Sequence, residues 1–171
     1  MPRALASFHI HTATLQLDAR PVRVADLLDR AVLLAREELE AKRLRIERRA
    51  AAALPAVLAD PDLLSQVLIG LLANAAEAVP PGGAIALEAC AADGTVQLTV
   101  ADSGPGIAPE LRTRVFEPFF TTRPRGTGLG LAIARQIVEA HGGRIEAGAA
   151  ASGGARFVIT LPVARGAALA A

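Results

Sequence analysis

The chain has 171 residues, enough for one domain with a single buried core. Apolar residues make up 52% against 20% charged, which excludes a disordered chain, and no run approaches the roughly 18 uninterrupted apolar residues of a membrane helix. Eighteen basic against 17 acidic residues, without a dense Lys/Arg patch, give no general attraction for nucleic acid or a membrane surface, so a ligand must be recognised locally.

In chain order, residues 7–17 alternate through Phe8 and Ile10, then Ala13, Leu15 and Leu17, so that at least the second half reads as a strand. The period then changes: Val24, Leu27, Leu28, Ala31, Val32, Ala35 and Leu39 form one stripe opposite Arg30, Glu37 and Glu40, an amphipathic helix over about 24–42. A short strand follows at 44–48. Asp60-Pro61-Asp62 supplies an N-cap, a preset first helical residue and a charge suited to the positive helix end. That helix runs until Pro80-Pro81-Gly82-Gly83 stop it. Segments 85–89 and 96–100 flank Asp93-Gly94, a turn dipeptide, and predict a β-hairpin. An irregular stretch over 103–125 leads to a helix at 129–140 ended by Gly142, then to strands near 144–147 and 156–161. The expected architecture is a two-layer α/β sandwich, a sheet on one side and about three helices on the other. The Ala-rich tail from residue 164 is expected to fray.

The one cysteine, Cys90, excludes an intramolecular disulfide and a multi-cysteine zinc site, and no secretory signal follows Met1. A reducing, cytoplasmic setting fits. Cys90 lies in an apolar segment and is expected to be a small buried hydrophobe without chemistry.

The helix over 60–79 is apolar on nearly every side except one stripe holding Gln66, Gly70, Asn74 and Glu77. An amide buried there needs partners or costs about 1–3 kcal/mol, so something polar is expected against Asn74. Directly after the strand at 96–100 comes Asp102-Ser103-Gly104-Pro105-Gly106-Ile107, a carboxylate followed by two glycines that allow close backbone approach. A carboxylate accepts from the exocyclic amine of adenine and rejects guanine, which presents an acceptor at that place. Gly126-Thr127-Gly128-Leu129-Gly130-Leu131 opens the last helix, where exposed backbone N–H groups form a natural phosphate site. The glycines are not spaced as G-x-G-x-x-G, and no G-x-x-x-x-G-K-[ST] occurs, so dehydrogenase and P-loop folds are excluded. Between the two glycine motifs, Phe116-Glu117-Pro118-Phe119-Phe120-Thr121-Thr122-Arg123 holds three of the five phenylalanines and predicts a lid, with Arg123 and Arg125 within reach of phosphate oxygens. A small satellite core with solvated arginines is the alternative reading of that segment.

Taken in order, Asn74, residues 102–106, residues 116–120 and residues 126–130 resemble the N box, first glycine box, F box and second glycine box of sensor histidine kinases. The resemblance spans about residues 21–162, including Leu58-Ala59-Asp60-Pro61-Asp62, Ala140-His141-Gly142-Gly143 and Gly154-Ala155-Arg156-Phe157, and is nearest to kinases of the nitrogen-regulation and dicarboxylate-sensing kind. It implies a Bergerat ATP fold with a mixed β-sheet. Asn74 would hold Mg²⁺ on the triphosphate, with Asn74 and Arg123 as catalytic residues. Asp102 would bind adenine, and Glu77, Gly104, Gly106, Ile107, Phe116, Thr121, Thr122, Gly126, Thr127, Gly128, Leu129, Gly130 and Leu131 would surround the ATP. The implied reaction moves the γ-phosphoryl to a histidine on a separate dimerization domain and then to a response regulator receiver domain. The isolated domain is expected to be a monomer, and the full-length kinase a homodimer whose other segments reach the inner membrane. Residues 1–12 are expected to end a dimerization helix or to begin just past it, residues 13–163 to form the catalytic domain, and 164–171 to be the tail.

The sequence departs from a complete kinase in two places. The phosphoacceptor motif, a histidine followed by an acidic residue, is missing. His9 and His11 lack that neighbour and His141 ends a helix, so all three are expected to be structural. One helical turn before Asn74, where these kinases commonly carry a second Asn, stands Gly70, which makes room for a neighbouring group or has drifted. In gyrase-like relatives a Glu at that place activates water, so hydrolysis as the main activity is disfavoured. Two alternatives use the same site: a nucleotide-binding regulatory module without transfer, and a serine kinase of the anti-sigma type.

Overall fold

The computed structural model describes residues 15–51 and 53–164. Among the described residues seven strands and three α-helices occur in chain order as β1 (Arg20–Val22), α1 (Val24–Ala41), β2 (Arg45–Ala50), β3 (Val57–Ala59), α2 (Pro61–Ala78), β4 (Ala84–Ala92), β5 (Thr95–Asp102), α3 (Gly130–Ala140), β6 (Arg144–Ala149) and β7 (Ala155–Pro162). Five strands form a mixed sheet in the order β2-β4-β5-β7-β6, with β2 parallel to β4 and the other pairs antiparallel. The three helices cover one face, which gives the two-layer sandwich expected from the sequence.

The sheet sorts its residues by the two-residue period. Ile85, Leu87 and Ala89 on β4, Val96, Leu98 and Val100 on β5, and Phe157, Ile159 and Leu161 on β7 point into a single core. Cys90 follows Ala89 and therefore points to the opposite face, where it is exposed; its expected burial was wrong because an apolar segment is not buried on both faces of a one-sided sheet. From the helix side α1 contributes Val24, Leu27, Leu28, Ala31, Ala35 and Leu39, the i, i+3, i+4 stripe read from the sequence. The longer strands carry this pattern plainly and fall where they were placed.

The N-terminal strand does not. Residues 7–14 of the expected strand lie outside the described residues, and Leu15 to Leu17 are not in a strand. The first strand is Arg20–Val22, set by its antiparallel partner β3, with Pro21 opposite Leu58. The expected terminal segments at 1–12 and 165–171 also lie outside the described residues.

α2 is held at both ends by contacts that fix the site described below. At its N-terminus the Asp60 side chain accepts from the amides of Asp62 (3.0 Å) and Leu63 (3.1 Å), as the N-cap reading requires. The other Asp60 oxygen accepts from the Asp18 amide at 3.0 Å, tying the entering chain to the helix. At the C-terminus Lys42 donates to the carbonyls of Ala76 (2.6 Å), Glu77 (3.2 Å) and Val79 (3.2 Å). A cation thus meets carbonyl groups that the helix leaves unpaired, at its negative end.

The Leu63 amide, joined by those of Asp18 and Asp62, holds the Asp60 carboxyl below the ordinary carboxylate range, against the opposing pull of its burial. Its folded pKa lies below the unfolded value of about 3.9, so the stabilisation is fully present above that pH and is lost as pH falls through the folded value. Asp60→Asn keeps a cap but turns an amide NH₂ toward one of the donors. It is expected to lower stability by about 1 kcal/mol at pH 7 and by less at pH 3, below the unfolded value. Urea unfolding at the two pH values checks this; an unchanged deficit at pH 3 would contradict the carboxylate's role.

Candidate functional site

The polar stripe of α2 forms one wall of a cleft of about 690 Å³ between α2, the end of β5, the segment from Pro105 to Gly128, and the start of α3. Asn74 and Glu77 lie on this wall, while Gln66 and Gly70 are exposed. Asn74 is half-buried rather than buried, and the polar group against it is Arg123. Its guanidinium donates to Asn74 Oδ1 at 3.2 Å, to the Asn74 main-chain oxygen at 3.0 Å, and to the Glu77 carboxylate. A Cβ placed on Gly70 would meet nothing within 4 Å, so this glycine makes room for no protein group.

Asp102 sits at the end of β5 and is 4% exposed, a buried carboxylate whose fixation is visible atom by atom. Oδ1 accepts from the amides of Gly104 (2.8 Å) and Ala155 (3.1 Å). Two donors on one oxygen lock the carboxylate plane, and Oδ2 of this cleft-lining residue has no hydrogen-bond donor among the described residues. The chain closes tightly round it: a Cβ on Gly106, whose φ is +80°, would lie 2.8 Å from the Gly153 oxygen, and one on Gly154 would lie 1.9 Å from the Asp102 oxygen. Gly104 thus holds Asp102 from behind instead of lining the cleft, and Ile107, half-buried against the core, lines it beside Val115.

The phenylalanine-rich segment divides. Phe116 is a core residue, 6% exposed and edge-on to Phe157 with ring centres 6.2 Å apart; it does not line the cleft. Phe119 is 73% exposed, with φ of +65°. Of the three rings in this segment Phe120 alone lines the cleft, and the Arg114 guanidinium lies 4.5 Å over its ring. The segment is therefore part main core, through Phe116, and part cleft wall, from Phe120 onward, rather than a separate satellite core. Thr121, Thr122, Arg123, Gly126, Thr127 and Gly128 continue the wall to Gly130 and Leu131 of α3, while Leu129 stays off it. Gly128, with φ of +69°, lies so close to Phe119 that a Cβ would come within 2.4 Å of its backbone.

No side chain caps the start of α3, in contrast with Asp60 on α2, so its first-turn amides are left to whatever enters the cleft. The donor set on α2 suits a hard cation: an amide oxygen and a carboxylate that already hold the positive guanidinium of Arg123. Among the described residues no group of three His, Cys, Asp or Glu is placed to bind a metal through protein ligands alone. His141 is structural. Its Nε2 accepts from the Asp60 amide at 3.0 Å and its Nδ1 pairs with the Ile137 oxygen at 2.7 Å, so both ring nitrogens are used. His9 and His11 lie outside the described residues.

Sequence reasoning named Asn74, Glu77 and Arg123 without pairing them, and it missed the Ala155 amide on Asp102. The two successive glycines 153 and 154 at the entrance to β7 were the available signal for that close approach.

Residues 59–165 match the family described as histidine kinase-, DNA gyrase B- and HSP90-like ATPase. The catalytic domain of the histidine kinase ThkA superimposes with a TM-score of 0.79 at 32% identity, over 85% of this chain and 96% of that one. The chain belongs to the family of histidine kinase catalytic domains. Full-length ShkA in complex with AMPPNP matches this histidine kinase domain at 37% identity and a TM-score of 0.81, over 91% of the domain and 33% of ShkA. ThkA in complex with the response regulator protein TrrA matches at 30% identity and a TM-score of 0.76, over 86% of the domain and 42% of that chain. The sensor histidine kinase ZraS of Escherichia coli (strain K12) is 38% identical over 137 residues, which are 80% of this chain and 30% of ZraS. The sensor protein FixL of Bradyrhizobium diazoefficiens is 43% identical over 111 residues, 63% of this chain and 22% of FixL. The domain thus spans about a third or less of the curated relatives it matches. Among the described residues no helix is long and apolar enough to cross a membrane.

Proposed function

We propose that this domain binds Mg-ATP in the cleft and donates the γ-phosphoryl to a histidine on a dimerization domain, from which it passes to a response regulator receiver domain. The observation that carries the reading is the content of one cleft: a locked carboxylate with a free oxygen, an uncapped helix start, and a cation seat on α2. Asp102 Oδ2 accepts from the adenine amine, and Ile107, Val115 and Phe120 offer apolar surface to the ring. The first-turn amides of α3 meet the phosphates. Asn74 Oδ1 holds Mg²⁺, which when bound neutralises triphosphate charge. Gly70 offers no group to activate water, so the phosphoryl is kept for a presented acceptor. The complete kinase works as a homodimer in the cytoplasm, assembled through its dimerization domain.

The experiment mixes this chain with a separately produced histidine-bearing dimerization segment and γ-labelled ATP with Mg²⁺. Label stable to base and labile to acid, as on histidine, is expected on the segment. Asn74→Asp is expected to lower the labelling rate by at least about tenfold, a loss of about 1.4 kcal/mol or more at the transition state. Labelling of serine, or histidine labelling indifferent to Asn74, would overturn the assignment.

A further inference from the structure

The geometry points to a second role for Arg123: it fills the cation seat of Asn74 and Glu77 and so latches the lid to α2, which makes the guanidinium and Mg²⁺ alternative occupants of one place. The inference rests on the nucleotide-binding function proposed above and concerns how that site is regulated.

Three acceptors on one turn of α2 converge on this side chain, namely Asn74 Oδ1 (3.2 Å), the Asn74 carbonyl (3.0 Å) and the Glu77 carboxylate. The amide oxygen suited to a hard cation therefore has a positive partner before any metal arrives. Among the described residues, these are the only side-chain hydrogen bonds that join residues 121–127 to α2. Arg125, two residues on, makes no hydrogen bond or ion pair among the described residues.

The arginine is also tied to the backbone of the lid. Its own amide donates to Thr121 Oγ1 at 3.0 Å, and the Gly126 amide donates to its carbonyl at 3.2 Å. Displacing the guanidinium therefore displaces the turn that carries it. The Arg123 and Glu77 side chains keep 34% and 60% of their exposure, so solvent weakens the pair enough for it to be exchanged. A divalent ion held by Asn74 and Glu77 would put two positive charges where the guanidinium puts one, and the triphosphate beside it would offer the released Arg123 a new anionic partner. Metal binding and lid release are then one event, and the lid stays on α2 until metal and nucleotide are both present.

Amide hydrogen exchange of the nucleotide-free chain tests the latch. Arg123→Ala and Glu77→Gln are expected to speed exchange of residues 121–128 at least about fivefold, and Arg125→Ala to leave it unchanged. Equal exchange in the wild type and Arg123→Ala would overturn the latch. The shared seat is tested by ATP affinity with Mg²⁺ and with excess chelator. Without metal the guanidinium stands in for it, so Arg123→Ala is expected to raise the ratio of the two dissociation constants at least about fivefold. An unchanged ratio means independent seats and overturns the exchange of occupants. If the wild type binds no ATP under either condition, the function proposed above fails, while hydrogen exchange still decides whether Arg123 holds the lid.

Discussion

Asp102→Asn is expected to weaken adenine-nucleotide binding by about 10- to 100-fold, measured by calorimetry on the folded domain. The size follows from the positions of the two carboxylate oxygens. Oδ1 accepts two backbone protons, from Gly104 and Ala155. An amide in place of the carboxylate must turn either its NH₂ or its oxygen toward that pair. If the oxygen takes the pair, the NH₂ faces the cleft and opposes the adenine amine, donor against donor. If the NH₂ takes the pair, two buried N–H groups lose their acceptor. Either orientation forfeits a hydrogen bond to a charged group and leaves polar groups unpaired, at about 1.5–3 kcal/mol. A factor of 100 corresponds to about 2.7 kcal/mol. Nucleotide affinity within a few-fold of the wild type would exclude Asp102 as the base-reading group, and a gain for guanine nucleotides would show that the cleft reads this position another way.

The sandwich was legible because its longer elements each repeat one period many times. The α1 stripe and the alternation Val96, Leu98, Val100 leave little freedom about which face is inward. Asp60 was equally legible, since a capping carboxylate acts on residues two and three positions away. What escaped were elements that exist only through a distant partner. β3 is three residues between a proline-containing loop and the α2 cap, too short to show a period, and it is made by β1 and by the bridge from Val57 to Val163. β1 likewise falls where β3 can pair with it, and not where the apolar alternation of residues 7–17 pointed.

The site divides along the same line. Asn74, Asp102 and the glycines announced themselves through local spacing. The segment from Phe116 to Arg123 was harder, because one phenylalanine-rich run serves two environments: Phe116 enters the core against Phe157, whereas Phe120 faces the cleft. A linear sequence does not say which ring turns inward. The partnership of Arg123 with Asn74 spans 49 positions and was invisible for the same reason. Its effect on the functional reading is direct, since Asn74 and Glu77 of the polar stripe on α2 already meet the Arg123 guanidinium.

Gly154→Ala is expected to cost about 3 kcal/mol or more of stability and to abolish nucleotide binding, although residue 154 does not line the cleft. The added methyl would lie 1.9 Å from the Asp102 carbonyl oxygen and 2.6 Å from both its carbonyl carbon and Oδ1. Two of those three atoms are backbone in a paired strand, so no rotamer change relieves the contact and β5 and the start of β7 must separate. That movement pulls the neighbouring Ala155 amide from Oδ1 and disturbs the 2.9 Å bond from Ser152 Oγ to the Asp102 carbonyl. The damage therefore falls on Asp102, the residue proposed to read the base. The same one-methyl change at Gly70 is the matched comparison, since nothing lies within 4 Å there and a mid-helix Ala replaces a Gly. It is expected to raise stability by about 0.5–1 kcal/mol and to leave the Asp102 anchor alone. Urea midpoints of the two variants, with calorimetric binding below each midpoint, decide the matter. A Gly154→Ala protein as stable as the wild type would show that β5 and β7 are not in the close contact on which the geometry of Asp102 depends.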